Sequence, residues 1–300
     1  MVKNLCQILV TIGLCVKNCA NTICETLNCI INQDYPHKLI EVIVVDDNSS
    51  DETLARTVSM LSGSSLNFKV FSTKGKGLGF ARQLVVKNAY GKYIVWIDGD
   101  MVLPKNYISR QVEFMERNPK VAQARAKWGV MNEKSLPAIL ESFRLLGHFR
   151  NSGSPHLVGI GGSICRVDAL RSIGGFDENI RGAGEDIDLA IRLASFGKFA
   201  ISDAVFYHRF RETWKGLWQQ YYWYGYGIHY VNSKHRGIIS IWKHLPHVSF
   251  FAGLLQALTV FRLTKLKIAF LLPIQYIFKY SAWINGYIKG YLDGYEYKAS

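Results

Sequence analysis

The chain is 300 residues long, 49% hydrophobic and 20% charged, with a formal net charge of +13. That length can bury a full core, and that balance excludes an intrinsically disordered chain. Its six cysteines show no paired metal-ligand spacing, and a disulfide framework is not expected at this length, so they read as small buried hydrophobes in a reducing compartment.

Residues 5–16 form an apolar run behind a lysine, the outline of a signal-peptide core, within which 5–14 reads as a strand. No small-residue cleavage site follows, so a first core strand is the better reading. The chain is then expected not to be secreted, and Asn48-Ser49-Ser50 is a chance sequon. A helix is predicted over 20–32, closed by Gln33-Asp34-Tyr35-Pro36. A strand at 39–45 runs into Asp46-Asp47-Asn48-Ser49-Ser50-Asp51, with Ser50 or Asp51 able to cap a helix over 52–61. A short strand near 68–72 and a helix over 78–89 precede the apolar strand Tyr93-Ile94-Val95-Trp96-Ile97, which ends in Asp98-Gly99-Asp100. A helix follows Pro104, residues 119–185 are irregular and glycine-rich, and 187–196 is an amphipathic helix. This alternation predicts an α/β fold with a mostly parallel sheet flanked by helices.

Two strands that both end in acids suggest one shared crevice at the carboxyl edge of the sheet, where α/β folds bind ligands. Carboxylates there need a cation or a donor-rich partner. Asp98 and Asp100 suit a hard divalent cation, which binds through one or two carboxylates plus substrate phosphates; Asp-Gly-Asp alone also reads as a turn. Lys74-Gly75-Lys76-Gly77-Leu78-Gly79 lacks the Gly-Lys-Ser/Thr ending of a phosphate loop and reads as a connector into a helix.

Beyond residue 213 the composition changes. Residues 213–292 hold nine Lys or Arg and no Asp or Glu, among many aromatic residues. The apolar stretches 245–261 and 268–284 lie near the lower length limit for spanning a bilayer. They read as two buried core helices or as a helical pair at a membrane surface, and the flanking aromatics and cations fit the second. Because the basic residues lie beside apolar stretches, lipid is favoured as a partner and nucleic acid is not expected.

Taken in order, several motifs resemble the inverting family 2 glycosyltransferases of GT-A fold, over roughly residues 5–230. They are Cys15-Val16-Lys17-Asn18, Asn32-Gln33-Asp34-Tyr35-Pro36, Val45-Asp46-Asp47-Asn48-Ser49-Ser50-Asp51, Gly75-Lys76-Gly77 through Ala81-Arg82-Gln83, and Asp98-Gly99-Asp100. Gly161-Gly162-Ser163, Gly174-Gly175-Phe176-Asp177 and Gly184-Glu185-Asp186 complete the series. The resemblance implies a GT-A catalytic domain over 1–212 and an aromatic, basic helical region over 213–300 that associates with a membrane. It implies an enzyme moving a sugar from a nucleotide-diphosphate donor to a lipid-linked or glycan acceptor at the cytoplasmic membrane face, with Mn²⁺ or Mg²⁺ as cofactor.

By the same resemblance, Cys15, Val16 and Asn18 cradle the nucleotide, Asp47 accepts from the base and Asp46 fixes the turn. Asp98 contacts the ribose and the cation, Asp100 ligates the cation directly, and His208 stands where a further metal ligand is frequent. Gly162 and Glu185 line the nucleotide-sugar site, Asp186 is the catalytic base, and Lys76 or Arg82 approaches the diphosphate. Arg209 and Arg211 are candidate phosphate contacts. His208 also reads as a hydrogen-bonded residue, and Glu185-Asp186 as a helix cap. Cys15, Lys17 and Gln83 depart from the family pattern. Arg211-Glu212-Thr213-Trp214 only partly echoes the processive Gln-X-X-Arg-Trp motif, so a single-sugar transfer is expected. Rival readings are a polyprenyl-phosphate sugar synthase and a catalytically silent nucleotide-sugar-binding or membrane scaffold protein.

Overall fold

Near-continuous Val and Ile runs suit strands buried on both faces, and the first two strands follow this rule. Val10–Val16 (β1) and Ile40–Asp46 (β2) are buried along almost their whole length. The computed structural model describes residues 9–129, 131, 133–148 and 159–298. Its further strands are Asn67–Ser72 (β3), Tyr93–Asp98 (β4), Met101–Val102 (β5), Val121–Gly129 (β6), Ser163–Arg166 (β7) and Lys198–His208 (β8). They form one sheet in the order β3-β2-β1-β4-β7-β6-β8-β5.

The helices are Ile23–Ile31 (α1), Thr53–Ser62 (α2), Leu78–Asn88 (α3), Tyr107–Arg117 (α4), Leu136–His148 (α5), Val167–Ser172 (α6), Glu185–Leu193 (α7), Trp214–Lys234 (α8), Pro246–Thr264 (α9) and Leu272–Leu292 (α10). The described residues divide into two compact units. The first holds the sheet with α1–α4, α6 and α7, and the second holds α5 and α8–α10.

In the first unit the two-residue period of the strands sends alternate side chains to opposite faces. Ile12, Leu14, Val42, Val44, Val95 and Ile97 pack with Ile23, Leu27 and Ile30 of α1 and Ile108, Val112 and Met115 of α4. Ile43, Val45, Ile94 and Trp96 face the other way, onto Ala81 and Val85 of α3 and Leu189 of α7. Each such aliphatic side chain contributes about 1.5–3 kcal/mol when fully buried, so two dry layers fix the strand ends that carry the acids.

The sheet is mixed, with four of its seven strand pairings parallel, in keeping with the mostly parallel sheet expected from the sequence. Pairing is parallel through β3-β2-β1-β4 and again at β6–β8, and antiparallel at β4–β7, β7–β6 and β8–β5. The reversal comes from the stretch expected to be irregular, which supplies β6, β7, α5 and α6. Strand β7 has only four residues, too few to show a period, and is stabilised by neighbours on both sides. The first strand, expected over 5–14, runs from Val10 to Val16, and residues 5–8 lie outside the described ones. Cys15 and Val16 therefore end a strand instead of forming a turn.

In the second unit α8 and α10 approach closely. A Cβ on Gly225 would lie 1.8 Å from the Trp283 carbonyl oxygen, and one on Gly286 would lie 1.9 Å from that of Tyr222. Lys279 of α10 and Glu141 of α5 form a buried ion pair at 2.8 Å, and the Tyr221 hydroxyl donates to the same carboxylate at 3.1 Å.

Candidate functional site

Register brings the acids together. Cys15 of β1 pairs with Asp98 of β4, and Val16 with Asp46 of β2, so three strands end at one level. Asp46 accepts from the Ser49 amide at 3.0 Å and shapes the turn after β2. Asn18, left-handed at φ 49°, accepts the Ser50 amide at 2.8 Å while its own amide donates to Ser49 Oγ at 2.9 Å. Asp47 accepts from the Thr73 hydroxyl and from the Gly77 amide at 3.1 Å, with Lys17 Nζ at 3.6 Å. Its carboxylate is thus oriented before any ligand arrives, and a carboxylate with about four acceptor sites retains capacity for one more donor.

Asp98 and Glu185 are joined through Arg82. The guanidinium, 5% exposed, donates from Nη1 to Glu185 Oε1 at 2.5 Å and from Nη2 to Asp98 Oδ1 at 3.4 Å. It also lies against the Trp96 and Phe176 rings, which meet edge to face. Burial pushes the Glu185 carboxyl up to about 7, with Arg82 opposing and Asp186 reinforcing. Burial likewise raises Asp98, against the pull of Arg82, although a third of its side chain is open. The Cys15 thiol is pushed up to about 12, chiefly by burial, so it stays protonated at neutral pH.

Asp100 and His208 stand together, with Asp100 Oδ1 at 3.1 Å from His208 Nε2. The contact follows from β5 pairing antiparallel with β8, where Met101 is opposite His208. The Trp128 ring meets the imidazole edge to face at 5.6 Å and fixes its plane. A carboxylate suits Mn²⁺ or Mg²⁺, and the imidazole beside it fits the softer Mn²⁺ better than Mg²⁺. Among the described residues no three His, Cys, Asp or Glu gather into a closed cage. The residues therefore fit a cation that takes the rest of its shell from a ligand's oxygens, and not one caged by protein alone.

Asp186 lies in the first turn of α7, which begins two residues earlier than expected, so Glu185 and Asp186 are both helical. The neighbouring acids take different places. Glu185 is buried behind Arg82, whereas Asp186 is partly exposed and accepts the Ile187 amide at 2.9 Å. A Cβ on Gly159 would lie 3.4 Å from Asp186 Oδ2 and 3.5 Å from Arg125 Nη1, so these groups share a corner. Of the neighbouring glycines, Gly161 faces the acids, since a Cβ there would lie 2.3 Å from Asp98 Oδ2. Gly162, the glycine nominated from the sequence, has φ +74° and turns its missing Cβ onto the Phe206 ring at 2.6 Å. It lets the chain pass close to the core and does not face the acids.

The contacts of Arg82, Thr73 and Arg125 do not follow from the sequence. Arg82 carries the one available signal, a cation on the buried face of α3. Gln83, beside it, accepts the Phe176 amide at 2.8 Å and donates to the Gly174 carbonyl at 3.0 Å, holding the glycine turn. Lys76 lies over the Phe80 ring. Arg209 and Arg211 belong to the second unit.

A family model described as "Glycosyl transferase family 2" matches residues 11–174, and one described as "Glycosyl transferase family group 2" matches residues 93–292. Over 195 residues the chain is 30% identical to an uncharacterized glycosyltransferase of Rickettsia felis, covering 62% of this chain and 30% of that protein. It thus spans under a third of that relative's length. Over 108 residues it is 34% identical to the Escherichia coli UDP-Glc:alpha-D-GlcNAc-diphosphoundecaprenol beta-1,3-glucosyltransferase WfaP, covering 36% of this chain and 41% of that one. In fold it is similar to the mannosyltransferase PcManGT of Pyrobaculum calidifontis, solved with GDP-Man and Mn²⁺. The TM-score is 0.64 at 20% identity, covering 95% of this chain and 88% of the other.

Proposed function

The chain belongs to glycosyl transferase family 2, and from that membership we propose that it moves one sugar, with inversion, from a nucleotide-diphosphate donor to a lipid-linked or glycan acceptor. The observation that carries this reading is the convergence of Asp98 and Asp100 after β4, His208 at the end of β8 and Asp186 in the first turn of α7, with Arg82 interacting with Asp98 and Asp186. The UDP-Glc in the WfaP name and the GDP-Man bound to PcManGT support the donor class, and the diphosphoundecaprenol in the WfaP name supports a lipid-linked acceptor.

In this reading the backbone at Cys15 and Val16, with Asn18, borders the base, and Asp47, already held by Thr73 and Gly77, accepts from it. Asp98 is held by Arg82 for the ribose. Asp100 and His208 would hold Mn²⁺ or Mg²⁺, which when bound supplies Lewis-acid stabilisation of charge on the departing diphosphate. Asp186 takes the proton of the acceptor hydroxyl. A general base of this kind contributes about 10²–10⁴-fold. Arg82 pairs with Glu185 and Asp98, so that Asp186 remains the partly exposed carboxylate of the corner.

The domain boundary falls near residue 212 in this proposal, with transfer chemistry before it and membrane contact after it, at the cytoplasmic face. Helix α9 is long and apolar enough to cross a membrane, with a mean hydropathy of 1.2 and 22% of that window buried. Its buried positions are the small Ser249, Gly253 and Ala257 with Val260, and it exposes Phe250, Phe251, Leu254, Leu255 and Leu258. An apolar face of that kind, next to Arg262, Lys265 and Lys267, suits a helix lying in the lipid headgroup region.

The test is calorimetric titration of uridine and guanosine diphosphates and their sugars, with Mn²⁺, with Mg²⁺ and with EDTA. Metal-dependent binding of one nucleotide is expected. A folded protein that binds none of them overturns the proposal in favour of a silent scaffold. Transfer to bare polyprenyl phosphate, in place of a glycosylated lipid, would assign it as a polyprenyl-phosphate sugar synthase.

A further inference from the structure

The second unit contains a cleft of about 530 Å³ that is broadly open to solvent. This volume is in the range of small-ligand sites. Its walls include His229 and Asn232 of α8, Tyr287 of α10, Trp242 and Glu296. Asn232 donates to the Ile239 carbonyl and accepts the Ile239 amide, both at 2.9 Å, so the connecting segment before Trp242 is pinned as a wall.

His229 is 6% exposed; among the described residues its Nδ1 has no hydrogen-bond partner, and its Nε2 meets only Glu296. Glu296 puts Oε1 at 3.6 Å from Nε2, a long ion-pair contact that leaves room for a bridging group. Edge contacts from Tyr287 at 4.8 Å and Tyr291 at 6.1 Å hold the ring in place. Burial lowers the pKa of the imidazole against the opposing pull of Glu296, and the neutral ring offers one donor and one acceptor. Buried polar groups in native proteins are satisfied by protein, water or ligand, and here the open side of the cleft is where a partner can enter. Trp242, 76% exposed, presents a flat apolar face at the rim beside these polar groups.

We propose that this cleft binds a pyranose ring of a glycan, with Trp242 against its apolar face and His229 and Glu296 on its hydroxyls. A hydroxyl both donates and accepts, so one such group meets a neutral imidazole and a carboxylate together. An anion is disfavoured by Glu296, and a cation gains nothing from the imidazole N–H. The alternation of apolar C–H face and polar rim is the chemistry a sugar presents and an indole beside polar side chains receives. None of these residues is assigned to transfer, so the inference stands apart from that reading.

The experiment is saturation-transfer NMR on the full chain with methyl β-D-glucopyranoside, methyl α-D-mannopyranoside and N-acetylglucosamine at millimolar concentrations, with and without saturating nucleoside diphosphate and Mn²⁺. At least one sugar is expected to bind, undisturbed by the nucleotide, and about tenfold more weakly to Trp242→Ala and to Glu296→Gln. Both substituted side chains are half-exposed or more, so folding is not at stake, and His229→Phe is expected to abolish binding. No binding of any sugar, displacement by the nucleotide, or binding that survives both exposed substitutions overturns the proposal. Binding of tetramethylammonium in place of the sugars also overturns it.

Discussion

Glu185 and Asp186 are adjacent acids in one helical turn, yet one is buried against Arg82 and the other is partly exposed. Glu185 is 4% exposed and tied to Arg82, and burial raises its pKa from the ordinary 4.5 to about 7. The folded protein therefore binds a proton there more tightly than the unfolded chain does. The stability this contributes is fully present below about pH 4.5 and lost as pH rises through 7. The stability difference between the native protein and Glu185→Gln should fall over that window, by at most about 1.4 kcal/mol per pH unit, and stay flat outside it. Urea unfolding across the pH range checks the sign; a difference that rises with pH would contradict it. Asp186 has the partly open position, and Asp186→Asn should lower transfer by about 10²–10⁴-fold with nucleotide affinity unchanged. Asp100→Ala, which removes the partner of His208 at 3.1 Å, should instead weaken metal-dependent nucleotide binding. The two calorimetric isotherms separate these outcomes, and full activity of Asp186→Asn would displace it as the base.

Elements differ in how far the sequence reveals them. Strands β1, β2 and β4 are legible because a parallel strand covered on both faces is largely apolar, and acids gather at its carboxyl end; Glu41, buried near the start of β2, is the exception and accepts from the Thr11 hydroxyl and the Tyr90 and Gly91 amides. Hence Asp46, Asp98 and Asp100 stand out. Strand β7 and helix α6 escape a reading of the sequence because four and six residues show no period, and long-range pairing holds them. The Arg82 bridge is hidden for the same reason, since Glu185 lies 103 positions away. Helix α10 is another case: Lys279 looks like a break in an apolar stretch, but it is 1% exposed and paired with Glu141 at 2.8 Å, with the Tyr276 ring 4.2 Å from its charge. Removing one partner of such a pair leaves a buried charge, so Lys279→Met should cost about 3–5 kcal/mol. The double variant Lys279→Met with Glu141→Gln should recover most of that loss. Thermal and urea denaturation test both, and a single variant as stable as the native protein would show that the pair carries no stability.

At the scale of the molecule, the uneven charge becomes informative once it is set against the exposed apolar face. The +13 net charge and the acid-free stretch 213–292 could favour any polyanion. Nucleic acid and lipid differ in what else they require of the surface. A nucleic-acid site combines cations with hydrogen-bonding and stacking groups, whereas α9 exposes Phe250, Phe251, Leu254 and Leu255 in two adjacent pairs, with Leu258 one turn on. Aliphatic groups gain nothing from a phosphate backbone, but each fully buried one gains about 1.5–3 kcal/mol in an apolar phase. The cations then add about 1 kcal/mol each near an anionic headgroup layer, an effect screened by salt. Two separable contributions follow. Co-sedimentation with vesicles of phosphatidylglycerol and phosphatidylcholine should show binding that weakens with added salt but does not vanish, because the apolar part is insensitive to ionic strength. Phe251→Glu with Leu255→Glu should remove the salt-resistant fraction, while Arg262→Gln with Lys267→Gln should remove mainly the salt-sensitive one. Both pairs lie outside the buried face of α9, so neither disturbs its packing. Binding abolished by salt alone would mean that the cations act without the apolar face, and α9 would then not lie in lipid.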